Sequence, residues 1–157
     1  MKCIICGLVE YGTGEILKIK SRPHLKEFLK YVFENFESVS IWTAATEKWY
    51  FECFEEGIQD YMPSGYHFDF VITREDNFID DTCGYPKLLS KVYEVHEKYT
   101  QTNTMIIDDN PLTYKYNVLN AIPIKPFDIY DPNHVNDDEL LKIIELFKRN
   151  SFTRDLI

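Results

Sequence analysis

The chain has 157 residues, 45% of them hydrophobic and 15% aromatic, with 17 Lys and Arg against 26 Asp and Glu for a net charge of -9. That length predicts one domain, and so much apolar material excludes a disordered, charge-rich chain. The acidic balance repels a polyanion, so nucleic acid is not an expected partner. No apolar run reaches the roughly 18 to 20 residues that span a bilayer, so a membrane is not expected either.

The chain opens on Met1-Lys2-Cys3-Ile4-Ile5-Cys6-Gly7-Leu8-Val9, and the apolar stretch stops at Glu10 with no small-residue cleavage site behind it. A buried first strand from Lys2 to Val9 is therefore expected rather than a signal peptide, and with it an intracellular protein, cytoplasmic or nuclear. The four cysteines, Cys3, Cys6, Cys53 and Cys83, are too few and too scattered for a disulfide scaffold. On a strand, Cys3 and Cys6 point to opposite faces, which spoils a shared metal, so they read as buried free thiols.

Between Pro23 and Phe36 the apolar residues Leu25, Phe28, Leu29, Val32, Phe33 and Phe36 fall on one helical stripe. Val39 to Thr43 reads as a second strand, and Thr46 can cap a helix carrying Trp49, Tyr50, Cys53, Phe54 and Ile58. A third strand is expected from Phe68 to Thr73, then an irregular polar loop from Arg74 to Gly84. Leu88, Leu89, Val92, Tyr93, Val95, His96 and Tyr99 predict a third long helix, and Thr104 to Ile107 a strand delivering Asp108 and Asp109 at its end. A short helix after Pro111, an edge strand at Ala121-Ile122-Pro123-Ile124 and a last helix capped by Asp137 complete the pattern. Ser151 to Ile157 reads as a loose tail behind a single domain of residues 1–150.

Strands alternating with amphipathic helices predict an α/β fold: a mainly parallel sheet of about five strands with helices on both faces. Such sheets bind ligands outside the carboxyl ends of their strands, where strand order reverses. That rule selects Gly7 to Glu10, Thr43, the Asp108-Asp109 pair and, across the loop before it, Lys87. A hydroxyl, an ammonium and paired carboxylates in one crevice describe a phosphate and magnesium site. Read singly, each also fits an ordinary role: a strand end, a surface lysine, a turn before a helix.

Order and spacing lift them. Arg22-Pro23-His24-Leu25-Lys26-Glu27-Phe28-Leu29, Ile41-Trp42-Thr43-Ala44-Ala45, Tyr85-Pro86-Lys87-Leu88-Leu89-Ser90, Ile106-Ile107-Asp108-Asp109-Asn110-Pro111 and Asn120-Ala121-Ile122-Pro123-Ile124 form five ordered blocks. Together they resemble the FCP-homology group, the RNA polymerase II C-terminal-domain phosphatases and NLI-interacting-factor-like proteins of the haloacid dehalogenase (HAD) superfamily. The resemblance runs from about Lys2 to Arg149. It implies a HAD-like Rossmannoid three-layer sandwich, with Thr43 binding the phosphoryl group, Lys87 as the third-motif lysine, and Asp108, joined by Asp109, holding magnesium.

The first motif departs from that pattern. Relatives carry Asp-x-Asp-x-Thr after the first strand, a nucleophile followed by a general acid/base; aligning the apolar run here sets Gly7 and Val9 at those places. Neither can attack phosphorus or protonate a leaving oxygen. Cys6, one residue earlier, is expected on the opposite face of the strand. The segment between Gly7 and Arg22 is also short beside the insertion that forms a flap in relatives, and Leu88 stands where an acidic residue is common.

The resulting expectation is a catalytically inactive pseudophosphatase, a module that binds a protein or a phosphopeptide. No cofactor is expected beyond weakly held magnesium, and oligomeric state is left open. The alternative is an active magnesium-dependent Ser/Thr phosphatase with an unconventional nucleophile, and a third reading is a structural partner with an empty crevice.

Overall fold

The computed structural model describes residues 1–12, 18–76, 78, 84 and 86–150, with the backbone alone for 10–12. The expected tail from Ser151 to Ile157, together with Cys83 and Tyr85, lies outside the described residues.

Five strands form the central sheet: β1 (Lys2–Ile5), β4 (Ser38–Trp42), β5 (Val71–Ile72), β6 (Thr104–Asp108) and β7 (Ala121–Pro123). Their order is β5-β4-β1-β6-β7, and every neighbouring pair is parallel. The chain works outward from β1 through β4 to β5, then crosses back to place β6 on the other side of β1. Strand order therefore reverses beside β1, and the carboxyl ends of β1, β4 and β6 meet there.

Side chains alternate through this sheet. Cys3, Ile5, Met105 and Ile107 pack into one cluster with α1 (Leu25–Asn35) and α5 (Glu139–Asn150), through Phe28, Val32, Ile143 and Phe147. Ile4, Ile106 and Trp42 face the other way, onto Leu89 and Val92 of α3 (Leu89–Val95). A period of two with both faces covered is what a parallel sheet demands, and it explains why β1 and β6 read as unbroken apolar runs. The α/β architecture expected from the sequence is the one observed.

The first strand is shorter than expected. It ends at Ile5, and the backbone turns at Gly7, whose φ of +77° is a left-handed conformation that favours glycine. Val9 then begins a separate antiparallel pair, β2 (Val9–Gly12) with β3 (Lys18–Ser21). This pair lies against α2 (Glu47–Gly57), where a Cβ on Gly57 would come within 2.7 Å of the Val9 side chain. Gly57 is thus a packing position where the β2–β3 pair and the helix approach closely.

Other boundaries move for local reasons. β5 keeps only Val71 and Ile72 of the expected Phe68 to Thr73 strand, although Asp69 N and Phe70 O still bond the backbone of β4. α3 stops at Val95, and Tyr99 reaches the core from the following turn, where its hydroxyl meets Ser38, Ser40 and Asp69. α1 starts at Leu25, past Pro23. Arg74–Asp76 forms a short 3-10 turn at the start of the expected polar loop, and residues 77 and 79–83 of that loop lie outside the described residues.

Thr46 caps α2 as expected, its hydroxyl accepting from Trp49 N at 3.3 Å. Thr46→Ala should therefore cost about 1 kcal/mol. In urea unfolding the midpoint should fall while the slope stays unchanged; an unmoved midpoint would contradict the cap. Before α1, Arg22 is buried and grips both Asp137 oxygens at 2.9 Å and the Lys125 carbonyl at 2.7 Å. That fork ties the segment before α1 to the entry of α5.

Candidate functional site

The register of the sheet builds the site. Lys2 lies level with Thr104 and Ile4 with Ile106, so two residues further Cys6 comes level with Asp108. Cys6 N donates to Ile107 O at 3.1 Å, which holds the chain in that register beyond the end of β1. Alternation then sends the Cys6 and Asp108 side chains to the same face, the one that carries α3.

Lys87 meets them there. Its Nζ lies 3.0 and 3.1 Å from the two Asp108 oxygens and 3.4 Å from Cys6 Sγ, so its three donors are all engaged. Asp108 is fully buried and Lys87 almost so. The Lys87 backbone is itself clamped by α4 (Pro111–Tyr116) and its C-cap: Lys87 N donates to Thr113 Oγ1 at 3.1 Å, and Asn117 Nδ2 donates to Lys87 O at 2.7 Å. Tyr114 Oη donates to the Asp108 carbonyl at 2.7 Å, and Asp109 N donates to Asp108 Oδ1 at 3.0 Å.

These contacts set the protonation states. Burial pushes the Cys6 thiol up to about 12, with Lys87 pulling it down and the two aspartates pushing it further up. At neutral pH it is a thiol. Burial opposes the Lys87 charge, but Cys6 and Asp108 outweigh it and hold the ammonium above its ordinary pKa. Asp109 is raised by burial and then by the Asp108 charge.

Thr43 follows β4 directly; its Oγ1 accepts from Ala45 N at 3.1 Å, a bond that does not use the hydroxyl hydrogen. Thr43, Lys87, Cys6 and Asp109 line one open cleft of about 700 Å3, joined by Arg74, whose Nε donates to the Ala44 carbonyl at 3.0 Å. Of the four residues expected together in the crevice, Thr43, Lys87 and Asp109 line it, whereas Asp108 is fully buried behind Lys87.

One expectation about the first strand is corrected. Cys6 does not point away from the site: its sulfur faces Lys87 and Asp108, while Gly7 makes the turn behind it. Leu8 is buried in the core cluster and lines a smaller apolar cavity of about 110 Å3 with Ile5, Ile41 and Tyr50. Val9 packs over Gly57 at the edge of the cleft. Cys3 stays in the core, so Cys3 and Cys6 share no site.

Magnesium, the cation that the resemblance implies, takes near-octahedral oxygen ligands. Here one ligand atom each from Cys6, Asp108 and Asp109 lies within 4.8 Å of the others, and one of the three is sulfur. That donor set does not fit magnesium.

Sequence reading missed Cys6, Arg74, Thr113 and Asn117. Cys6 was within reach: counting back in register from Asp108 finds it. Thr113 and Asn117 act through backbone bonds across 26 and 30 residues, which no local pattern announces.

The family described as NLI interacting factor-like phosphatase matches residues 8–156. A CTD phosphatase-like protein of Invertebrate iridescent virus 6 is 30% identical over 146 residues, which cover 84% of this chain and 75% of that protein. Carboxy-terminal domain RNA polymerase II polypeptide A small phosphatase 2 of Homo sapiens is 28% identical over 145 residues, covering 92% of this chain and 48% of the relative. Ubiquitin-like domain-containing CTD phosphatase 1 of Xenopus tropicalis is 30% identical over 153 residues, covering 92% and 45%. The chain thus spans three quarters of the viral relative and about half of the two vertebrate ones. Among the described residues no helix is long and apolar enough to cross a membrane. With the Thr43, Lys87 and Asp108 blocks in order on this sheet and the family match running over nearly the whole chain, the protein belongs to the NLI interacting factor-like phosphatase family.

Proposed function

We propose that this chain is a catalytically silent member of its family that binds a phosphorylated protein segment. In this reading Cys6 and Leu8, rather than Gly7 and Val9, stand in the places of the two first-motif aspartates. The observation that carries it is the Cys6 sulfur at 3.4 Å from Lys87 Nζ, level with Asp108. Moving the alignment by one residue leaves its consequence intact, because the first motif still offers no carboxylate. The thiol keeps its proton at neutral pH, and leucine has none to give a leaving oxygen.

Binding needs less than catalysis does. Thr43 has a hydroxyl hydrogen to donate, Arg74 sets positive charge at the cleft, and Lys87 lines it with its charge shared with Asp108. Their surroundings suit a phosphate carried on a protein side chain, the kind of substrate that the names of the relatives imply. A fluorescent phosphoserine peptide should bind more tightly than its unphosphorylated twin. Thr43→Val, which removes one hydrogen bond to a charged group, should weaken it by roughly tenfold or more. Equal affinity for the two peptides, or no change in Thr43→Val, would overturn the phosphate-reading role.

The alternative, an active phosphatase, now has one named nucleophile. Cys6 faces the cleft, and a phosphoryl group taken by its sulfur would be trapped as an acid-labile adduct that Cys6→Ser abolishes. The high thiol pKa weighs against it, since a second anion in the cleft would favour the thiolate even less.

A further inference from the structure

We propose that Cys6, Asp108 and Asp109 form an open three-ligand site for a thiophilic divalent cation of the zinc type. A carboxylate at the end of β1 would complete an oxygen cage, whereas a sulfur there forfeits a hard cation and favours a borderline-soft one. Zinc accepts three protein ligands of mixed sulfur and oxygen and keeps a fourth position open. Tetrahedral bonds of the usual lengths set such ligand atoms about 3.5 Å apart. The present spacing of up to 4.8 Å therefore closes with small movements of Cys6 and Asp109, which are both half-buried.

The charge balance of the site gives a second, independent reason. Lys87 neutralises Asp108, but Asp109 makes no ion pair among the described residues, although it is half-buried and faces the cleft. That leaves one carboxylate without a direct ion-pair partner where a phosphate would have to approach, with Lys87 and Arg74 elsewhere on the cleft wall. A divalent cation between them removes the repulsion and presents its fourth position to the cleft. Asp108 need not release Lys87, since one oxygen can keep the ammonium while the other turns to the metal. The protonated thiol is no obstacle, because zinc displaces the proton on binding. The Thr113 and Asn117 bonds to the Lys87 backbone fix where its side chain starts beside the site.

The cation site stands on these three side chains; only the occupant of its fourth position rests on the phosphate-reading role proposed above. The test uses the full chain, stripped of metal by a chelator, with cobalt(II) as a spectroscopic stand-in for zinc. One equivalent should produce a near-ultraviolet sulfur-to-cobalt charge-transfer band, bleached by zinc and untouched by a large excess of magnesium. Zinc should also protect Cys6 from alkylation, read by peptide mass spectrometry so that Cys3, Cys53 and Cys83 are scored apart. Cys6→Ser should lose the band and weaken zinc by at least about tenfold, since even outer-shell partners of a metal ligand cost that much. Cys6→Asp should shift preference to magnesium.

No band in the folded chain, a band that survives in Cys6→Ser, or displacement by magnesium at matching concentration would overturn the proposal. If Cys6→Ser fails to fold, alkylation of the unaltered chain decides: protection supports the site and unchanged labelling sinks it. Phosphopeptide binding measured beside it separates the two readings. Binding without a band discards the zinc site alone, and a band without binding discards phosphate reading alone.

Discussion

Lys87→Met is expected to cost the folded state about 3–5 kcal/mol, the usual penalty for leaving one partner of a buried ion pair uncompensated. The pair is buried on both sides: Lys87 retains 5% side-chain exposure and Asp108 none, at 3.0 Å. Against a typical total of roughly 5–15 kcal/mol this is severe. Removing both charges should recover most of it, because an apolar pair of similar volume is often neutral or better. The check is urea unfolding of Lys87→Met beside Lys87→Met/Asp108→Leu. A single variant as stable as the unaltered chain, or a double variant worse than the single, would show that the pair does not behave as a buried one. The same contacts make lysine removal a poor probe of phosphate binding, since lost folding would imitate lost affinity; Thr43→Val avoids that confusion.

Hydrolysis should be absent. In enzymes whose nucleophile and proton carrier act as a unit, losing the nucleophile alone costs on the order of a million-fold, or about 8 kcal/mol. This chain has lost both carboxylates. In the proposed alignment the thiol at the nucleophile's place keeps its proton, and Leu8 lines an apolar cavity rather than the cleft. With magnesium and an aryl phosphate, turnover should stay at background even at high protein concentration. Turnover that requires magnesium and disappears in Asp108→Asn would show that another group has taken over.

Much of this architecture was legible because it is local. The apolar run of β6, the helical stripe of α1 and the Thr46 cap are short-range patterns that alternation, periodicity and hydrogen-bond chemistry set directly. The crevice followed from topology, since Thr43 and Asp108 end strands that flank β1. What escaped was register. Lys2 to Val9 reads as one apolar strand because a turn at Gly7 followed by a new strand at Val9 leaves no polar mark in the sequence; only the positive φ at Gly7 reveals it. Reading the run as one strand with Gly7 toward the site hid Cys6, since neighbouring residues on a strand point to opposite faces. Lys87 was recognised, but the sequence could not show that Asp108 already occupies its donors, nor that Asn117 and Thr113 hold its backbone.

Whether the crevice grips a phosphate without cleaving it is read directly by one measurement. A phosphoserine peptide is incubated with excess chain and magnesium until bound, then released by denaturation and weighed by mass spectrometry. The peptide is expected to return with its phosphate intact. Peptide returned without phosphate from the unaltered chain, but intact from Asp108→Asn, would contradict it.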